Sequence, residues 1–226
     1  MATPAVTLYL LPGASSLFPH ILLRYCHIPF TPHVIHHPSN LATDLADISA
    51  KHQVPVLVLD GGNDNNTRTV VTENPAIAHA INQLAPQCHL FGRTRTDFLK
   101  VCEWLNFISG PLHAQAWGPY IRPERFTTAT TPEALTGVKA AAEQRLHERF
   151  AMLEKGLHAD GPWALGEHFT AVDAYVFPFF RLPTARGMMG RGDMEGCYPR
   201  WGRVVRGVEG MEAVRETLAF EEASKQ

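Results

Sequence analysis

The sequence predicts an α/β domain followed by an all-helical domain. Short apolar runs of strand length alternate with helical patterns in the front third of the chain. Beyond that point the pattern changes to long amphipathic stretches without strands. We therefore expect a first domain at 1–85, a linker at 86–93 and a helical domain at 94–226.

The chain opens with a strand, a turn and a helix. Val6 to Leu11 is an apolar strand that runs into a Pro12-Gly13 turn, and Ser15 and Ser16 follow at the start of a helix. Serine is a common N-cap, so either hydroxyl can satisfy the first free N–H groups. A hydroxyl at the positive end of a helix also suits an anion, and the two interpretations stay open on this stretch alone.

One further strand and a helix are expected before a β-hairpin. The strand covers Thr31 to Ile35, the helix covers Asn40 to Ala50, and the hairpin pairs Val56 to Leu59 with Thr69 to Thr72. These elements complete a small sheet with helices packed against it.

Pro55 stands directly before the hairpin. A proline lacks a backbone donor and forces the preceding residue, here Val54, into an extended conformation. The main chain of Val54 is then free to pair with an external partner. A plain turn before an edge strand is the alternative.

The next helix starts with a cap and an acid. Asn74 is predicted as its N-cap and Pro75 as its first helical residue. Glu73 precedes them, where free N–H groups and the positive end of a dipole converge. It is either a favourable first-turn charge or part of a binding site.

The helical domain is built from long helices. The first covers about Thr94 to Trp117, with a kink expected at Pro111, and the second covers Pro132 to Lys155. Thr170 and Asp173 resemble a capping box at the start of a buried helix. Two short helices, Pro199 to Val205 and Met211 to Phe220, finish the chain.

Composition excludes several classes of function. The 226 residues carry a net charge of -2, which argues against nucleic-acid or anionic-membrane binding. The four cysteines are scattered and show no zinc-like spacing, so neither a disulfide framework nor a metal is expected. No signal peptide or membrane span is recognisable, and a cytoplasmic location is predicted.

Five motifs in order resemble the cytosolic glutathione transferases across essentially the whole chain. They are PGASSLFPHILL, QVPVLVLD, TENPAIAHAI, EWLNFI and GEHFTAVDAY. The first and fourth look most like the bacterial beta class, and we expect a fungal offshoot of it. The resemblance implies a thioredoxin-like N-terminal domain, an all-α C-terminal domain, glutathione as co-substrate and a homodimer.

The resemblance assigns the sulfur end of glutathione to the opening unit. Ser15 stands where the beta class usually has cysteine, and Ser16 matches the second hydroxyl of the family. Val54, before a Pro55 that is cis in the family, would pair with the cysteinyl main chain. Because Ser15 replaces cysteine, a mixed disulfide with glutathione is disfavoured.

The remaining contacts are implied in the same way. Glu73 would bind the γ-glutamyl ammonium and Asn74 the γ-glutamyl carboxylate, with Gln53 beside the same groove. Asn106 and His113 match positions near the sulfur and the dimer interface.

No basic residue is plainly present for the glycyl carboxylate. His36 or His37 could take that place. For the electrophile, Trp117 and Tyr120 offer flat apolar surfaces along the first long helix, and packing is the open alternative.

These observations predict an enzyme that activates the glutathione thiolate for attack on a small hydrophobic electrophile, in detoxification or secondary-metabolite tailoring. Two alternatives are a glutathione-dependent isomerase or reductive tailoring enzyme, and a non-catalytic binding or assembly module with the same fold. Product analysis distinguishes the transferase from the isomerase, and retention on immobilised glutathione tests the non-catalytic module.

Overall fold

The computed structural model describes residues 4–61 and 68–225. It divides into two compact units: Met1–Arg93 with Arg206–Gln226, and Thr94–Val205. The second unit begins at Thr94, the residue at which the sequence analysis starts the helical domain. The last stretch of the chain, however, groups with the first unit, whereas the sequence division assigns it to the helical domain.

The first unit is built on a four-stranded mixed sheet. Its strands are β1 Ala5–Leu10, β2 Thr31–Val34, β3 Val56–Asp60 and β4 Arg68–Thr72, in the order β2-β1-β3-β4. Strand β1 runs parallel to β2 and antiparallel to β3, and β3 pairs with β4 as a hairpin. The predicted thioredoxin-like sheet is confirmed.

The α-helices lie in both units. In chain order the α-helices are α1 Leu17–Tyr25, α2 Leu41–Asp44, α3 Asn74–Leu84, α4 Arg95–Phe107, α5 Gly118–Ile121, α6 Pro132–Gly156, α7 Ala171–Ala185, α8 Arg191–Cys197, α9 Pro199–Glu209 and α10 Glu212–Ala223. Short 3₁₀ turns lie at Pro38–Asn40, Pro86–Cys88 and Pro123–Arg125.

One predicted helix is much shorter than expected. The helix predicted from Asn40 to Ala50 is limited to α2, which ends before Leu45. Leu45 is fully buried and packs with Tyr9 and Val56 against the sheet. The threonine and the aspartates of this stretch are weak helix formers, which accounts for the early end of the helix.

The first long helix is interrupted in a way that the sequence did not predict. It is α-helical to Phe107 and continues as a π-helix over Ile108–Trp117, where a kink was expected. Pro111 has no N–H to donate to the preceding turn, so the regular ladder cannot pass through it. At the end of the segment the Gly118 N–H donates to the carbonyl of His113, five residues back.

Candidate active site

The turn between β1 and α1 is held together by the side chain of Ser16. Its hydroxyl accepts from the Leu11 N–H at 3.1 Å and donates to the Leu11 carbonyl at 3.0 Å. Ser16 is fully buried, and it makes no side-chain cap with α1. The capping interpretation is therefore not realised for Ser16, because its hydroxyl is used to close the turn behind it.

Backbone carbonyls take over the capping of α1. The Leu17 N–H donates to Ala14 at 3.2 Å, and the Phe18 N–H donates to Ser15 at 3.3 Å. Within the described residues, no hydrogen bond engages the N–H groups of Ser15 and Ser16 themselves. Two donors at the start of a helix thus stay available for an anion.

The hydroxyl of Ser15 faces the segment before β3. It donates to the carbonyl of Val54 at 3.3 Å, and the peptide bond between Val54 and Pro55 is cis. Ser15 and Val54 are half-buried, so this meeting point is reached by solvent. The structure therefore brings together the two elements that the sequence indicated separately, the serine turn and the Val-Pro segment.

The start of α3 forms another part of the same unit. Glu73 occupies the N-cap with φ 70, and Asn74 is the first helical residue and is buried. The prediction of Asn74 as the N-cap is thus off by one residue, because the chain turns out of β4 at Glu73. A positive φ in a residue other than glycine costs about 1 to 3 kcal/mol and is found most often at functional sites.

Glu73 already has a cationic partner. The ammonium of Lys51 lies 2.6 Å from its Oε1 and 2.8 Å from the hydroxyl of Thr72. Both charged side chains are half exposed or more, at 50% and 60%, so the pair itself adds little stability. It does show that an ammonium group fits beside this carboxylate.

Sequence reasoning did not single out Lys51. Its only signal was a charge opposite to that of Glu73, and the two residues are separated by the whole hairpin. Gln53, two residues further on, is exposed next to Val54.

The two histidines considered for the glycyl carboxylate have other partners. His36 Nδ1 lies 3.3 Å from the carbonyl of Ser224, and His37 Nδ1 lies 2.7 Å from the hydroxyl of Ser39. Both histidines are exposed.

Two predicted site residues lie on the interrupted helix of the second unit. Asn106 is exposed and donates from Nδ2 to the carbonyl of Cys102 at 2.8 Å. His113 lies in the π-helical segment with its ring edge-on to Phe179, at a centroid distance of 5.3 Å. Burial lowers the pKa of His113, so the neutral imidazole is favoured at neutral pH.

The two aromatic candidates for electrophile binding are buried in the same unit. Trp117 and Tyr120 stack on each other at 5.5 Å, with exposed fractions of 2% and 8%. The ammonium of Lys139 covers the ring of Tyr120 at 4.8 Å. These contacts favour the packing alternative for both side chains.

The described residues form neither a metal-binding cluster nor a membrane-spanning helix. Across residues 4–61 and 68–225, no three His, Cys, Asp or Glu side chains cluster in a way that could hold a metal ion. None of the helices described by the structure has both the length and the apolar character needed to cross a bilayer.

Comparisons with known proteins agree on one family. Residues 16–84 match the family model of the glutathione S-transferase N-terminal domain, and residues 136–207 match that of its C-terminal domain. The glutathione S-transferase GstA of Escherichia coli O157:H7 is 31% identical over 178 residues, which cover 77% of this chain and 80% of that protein.

Solved structures extend the similarity to nearly the full chain. BphK, a bacterial glutathione S-transferase solved as a ternary complex, is 27% identical with a TM-score of 0.77, covering 96% of this chain and 99% of that one. A sphingomonad glutathione S-transferase complexed with glutathione is 27% identical with a TM-score of 0.74, covering 96% and 98%.

Proposed function

Because the chain belongs to the glutathione S-transferase family, we propose that its first unit binds glutathione and that Ser15 activates the thiol for attack on a small hydrophobic electrophile. The observation that carries this proposal is the contact between the Ser15 hydroxyl and the Val54 carbonyl at 3.3 Å. It joins a helix start with available N–H groups to the main chain that would hold the cysteinyl part of glutathione.

The two serines have different roles in this proposal. Ser15 has a rotatable hydroxyl with one proton, which can turn from the Val54 carbonyl to a thiolate when glutathione binds. The hydroxyl of Ser16 is committed to both polar groups of Leu11. We therefore assign thiolate stabilisation to Ser15, and we assign to Ser16 the support of the turn that presents it.

Glu73 and Asn74 would hold the γ-glutamyl end. Glu73 holds the ammonium of Lys51 at its Oε1, which supports an ammonium-binding role for this carboxylate. Asn74 stands at the first turn of α3, where backbone N–H groups favour a carboxylate. Val54 would pair through its main chain, with Gln53 beside it.

The available interactions are large enough for the chemistry. A thiol with a pKa of about 8.5 is only a few per cent thiolate at neutral pH, and the thiolate is the nucleophile. A hydrogen bond to a charged group contributes about 1.5 to 3 kcal/mol, and a helix N-terminus about 0.3 to 1 kcal/mol. At about 1.36 kcal/mol per unit, the pKa of bound glutathione falls by about one to three units, so that much of it is thiolate at neutral pH.

The chemistry of the site favours conjugation over disulfide exchange. In this proposal Ser15 stands where the beta class has the cysteine that would form a mixed disulfide, and the four cysteines of the chain lie elsewhere, at Cys26, Cys88, Cys102 and Cys197. Roles for Asn106 and His113, and the homodimer, stay predictions. Sedimentation equilibrium tests the dimer, for which a mass of twice 25.1 kDa is expected.

The test compares glutathione binding and thiol ionisation in matched variants. Calorimetry should detect binding of glutathione to the wild type, and ultraviolet absorbance of the thiolate should give a bound-thiol pKa at least one unit below that of free glutathione, about 8.5. Ser15→Ala should remove most of this shift, while Ser16→Ala should retain part of it. An unchanged thiol pKa in Ser15→Ala would refute the assigned role.

A second measurement identifies the reaction class. The wild type is incubated with glutathione and a panel of aryl halides, epoxides and unsaturated carbonyl compounds, and the products are analysed by mass spectrometry. Accumulating conjugates support transfer. Rearranged substrate with unchanged glutathione supports isomerisation, and binding without turnover on any probe supports a non-catalytic module.

A further inference from the structure

The turn that carries Ser15 is held from the far end of the chain. Glu221, on α10, accepts a hydrogen bond through Oε2 from the Gly13 N–H at 3.0 Å. Gly13 has φ 78, a conformation that favours glycine, and it stands two residues before Ser15. Glu221 is only 4% exposed, so its carboxylate is directed into the first unit and away from solvent.

The second oxygen of the same carboxylate is anchored on α1. Oε1 lies 3.2 Å from Nδ1 of His20, which is fully buried. Nε2 of His20 accepts from Nε of Arg24 at 3.2 Å, and an arginine nitrogen can only donate. His20 therefore carries its proton on Nδ1 and donates it to Glu221.

Aromatic rings fix the orientation of this imidazole. Phe30 and Phe220 lie edge-on to His20, at centroid distances of 5.5 and 5.3 Å. The guanidinium of Arg24 covers the same two rings at 5.9 and 5.6 Å. Glu221 is thus held in one geometry by its neighbours and can in turn hold the Gly13 N–H.

The turn is consequently fixed from two sides. Ser16 binds both polar groups of Leu11 from inside the turn, and Glu221 binds Gly13 from α10. Ser15 lies between these two attachments. A charged acceptor and a geometry fixed by several partners make the second attachment a strong one.

We propose that Glu221 is a positioning residue that sets the place of the Ser15 hydroxyl through the Gly13 N–H. This inference rests on the proposed role of Ser15. Glu221 would not touch glutathione. It acts by holding the turn, because a displacement of about 1 Å in a catalytic group costs up to about 100-fold in rate.

The direction in which the pKa of the bound thiol changes distinguishes a positioning role of Glu221 from a purely electrostatic one. A buried negative charge near the site disfavours a thiolate, so removing that charge alone would lower the pKa of the bound thiol. Loss of the correct Ser15 position raises it. In Glu221→Gln the amide offers one acceptor oxygen to two donors, Gly13 N–H and His20 Nδ1–H, and one of these bonds must be lost.

The experiment titrates the thiolate absorbance of bound glutathione in the full-length wild type, Glu221→Gln and Glu222→Gln. Glu222 is the matched control, because it lies on the same helix and loses the same charge, but its side chain is 75% exposed and pairs with Lys225. We expect Glu221→Gln to raise the thiol pKa by about one unit, a tenfold loss of thiolate below that pKa, and Glu222→Gln to match the wild type.

The outcomes distinguish this inference from the proposed function. If the wild type leaves the thiol pKa at its free value, the role of Ser15 fails. If the wild type lowers the thiol pKa and Glu221→Gln lowers it equally or further, the positioning role fails and that of Ser15 stands.

A measurement on the wild type covers the case in which Glu221→Gln does not fold. Gly13 is exposed, and its amide hydrogen should nevertheless be protected from exchange in a nuclear magnetic resonance experiment. Exchange at the rate of a free amide would overturn the proposal. Glu221→Asp, which keeps the charge on a side chain one methylene shorter, should raise the thiol pKa as Glu221→Gln does.

Discussion

Helices α1 and α7 both begin beside a hydroxyl residue, but they use it in opposite ways. At α7 the Thr170 N–H and hydroxyl both donate to Asp173, at 2.7 and 3.0 Å, and the Ala164 N–H joins them at 2.6 Å. At α1 the hydroxyl of Ser16 turns back to Leu11, and the Ser15 and Ser16 N–H groups have no acceptor among the described residues.

A helix start that stabilises the fold uses its donors and acceptors within the chain, whereas a start that can bind a ligand leaves some of them available. Asp173 is fully buried, and its three donors are local, so all of its interactions serve the fold of the second unit. The start of α1 keeps two donors and one mobile hydroxyl for something that is not part of the chain. A ligand that binds as an anion can satisfy them.

The largest expected effect is on stability at α7. Replacing Asp173 with alanine leaves three donors without their acceptor in a fully buried place, so we expect a loss of about 3 kcal/mol in the free energy of unfolding. Urea unfolding at about pH 5 measures it, where the folded-state carboxyl is largely protonated. A loss below about 1 kcal/mol would contradict the conclusion that the start of α7 stabilises the fold.

The carboxyl of Asp173 also makes the free energy of unfolding depend on pH. Burial raises the pKa of Asp173 from 3.8 to about 6, against the opposing effect of its hydrogen bonds. Between pH 3.8 and about 6 the folded protein therefore binds one proton more than the unfolded chain does. The stability that Asp173 contributes through this proton is fully present below pH 3.8 and is lost as the pH rises through about 6.

Urea unfolding of the wild type and of Asp173→Ala between about pH 4 and pH 7 isolates this contribution. The difference in stability should narrow by about 2 kcal/mol as the pH rises, because alanine does not titrate. A difference that widens with rising pH would show that the hydrogen bonds outweigh burial and keep the folded-state pKa low.

The two helix starts also mark what a sequence can reveal. Thr170 and Asp173 were recognised because a capping partner lies three residues away on the same helix, and the hairpin after Pro55 was recognised for similar local reasons. The destination of the Ser16 hydroxyl depends on the three-dimensional path of the turn, which residue types alone do not specify. Glu221 is 208 residues from Gly13, and no local pattern connects them.

Within the α1 turn, Ser16 and Ser15 should separate into a structural and a functional residue. Ser16→Ala removes a buried acceptor from the Leu11 N–H and should lower the free energy of unfolding by about 1 to 2 kcal/mol. Ser15→Ala should change it by less than about 0.5 kcal/mol, because its contact at 3.3 Å is half exposed. Thermal unfolding of both variants without glutathione makes the comparison, and equal losses would contradict the assigned roles.

A smaller loss than at Asp173 is expected where the motif of α7 recurs on a surface. Thr94 and Asp97 at the start of α4 bind each other's N–H groups, at 3.0 and 3.1 Å, with the same spacing as Thr170 and Asp173. Thr94 is exposed, so water can replace its hydroxyl. We expect Thr94→Ala to cost about 1 kcal/mol or less, against about 3 kcal/mol for Asp173→Ala. Equal losses in the free energy of unfolding, measured in urea, for the two variants would show that burial is not the reason why the start of α7 stabilises the fold. The difference between α7 and α1 would then rest on the number of hydrogen bonds alone.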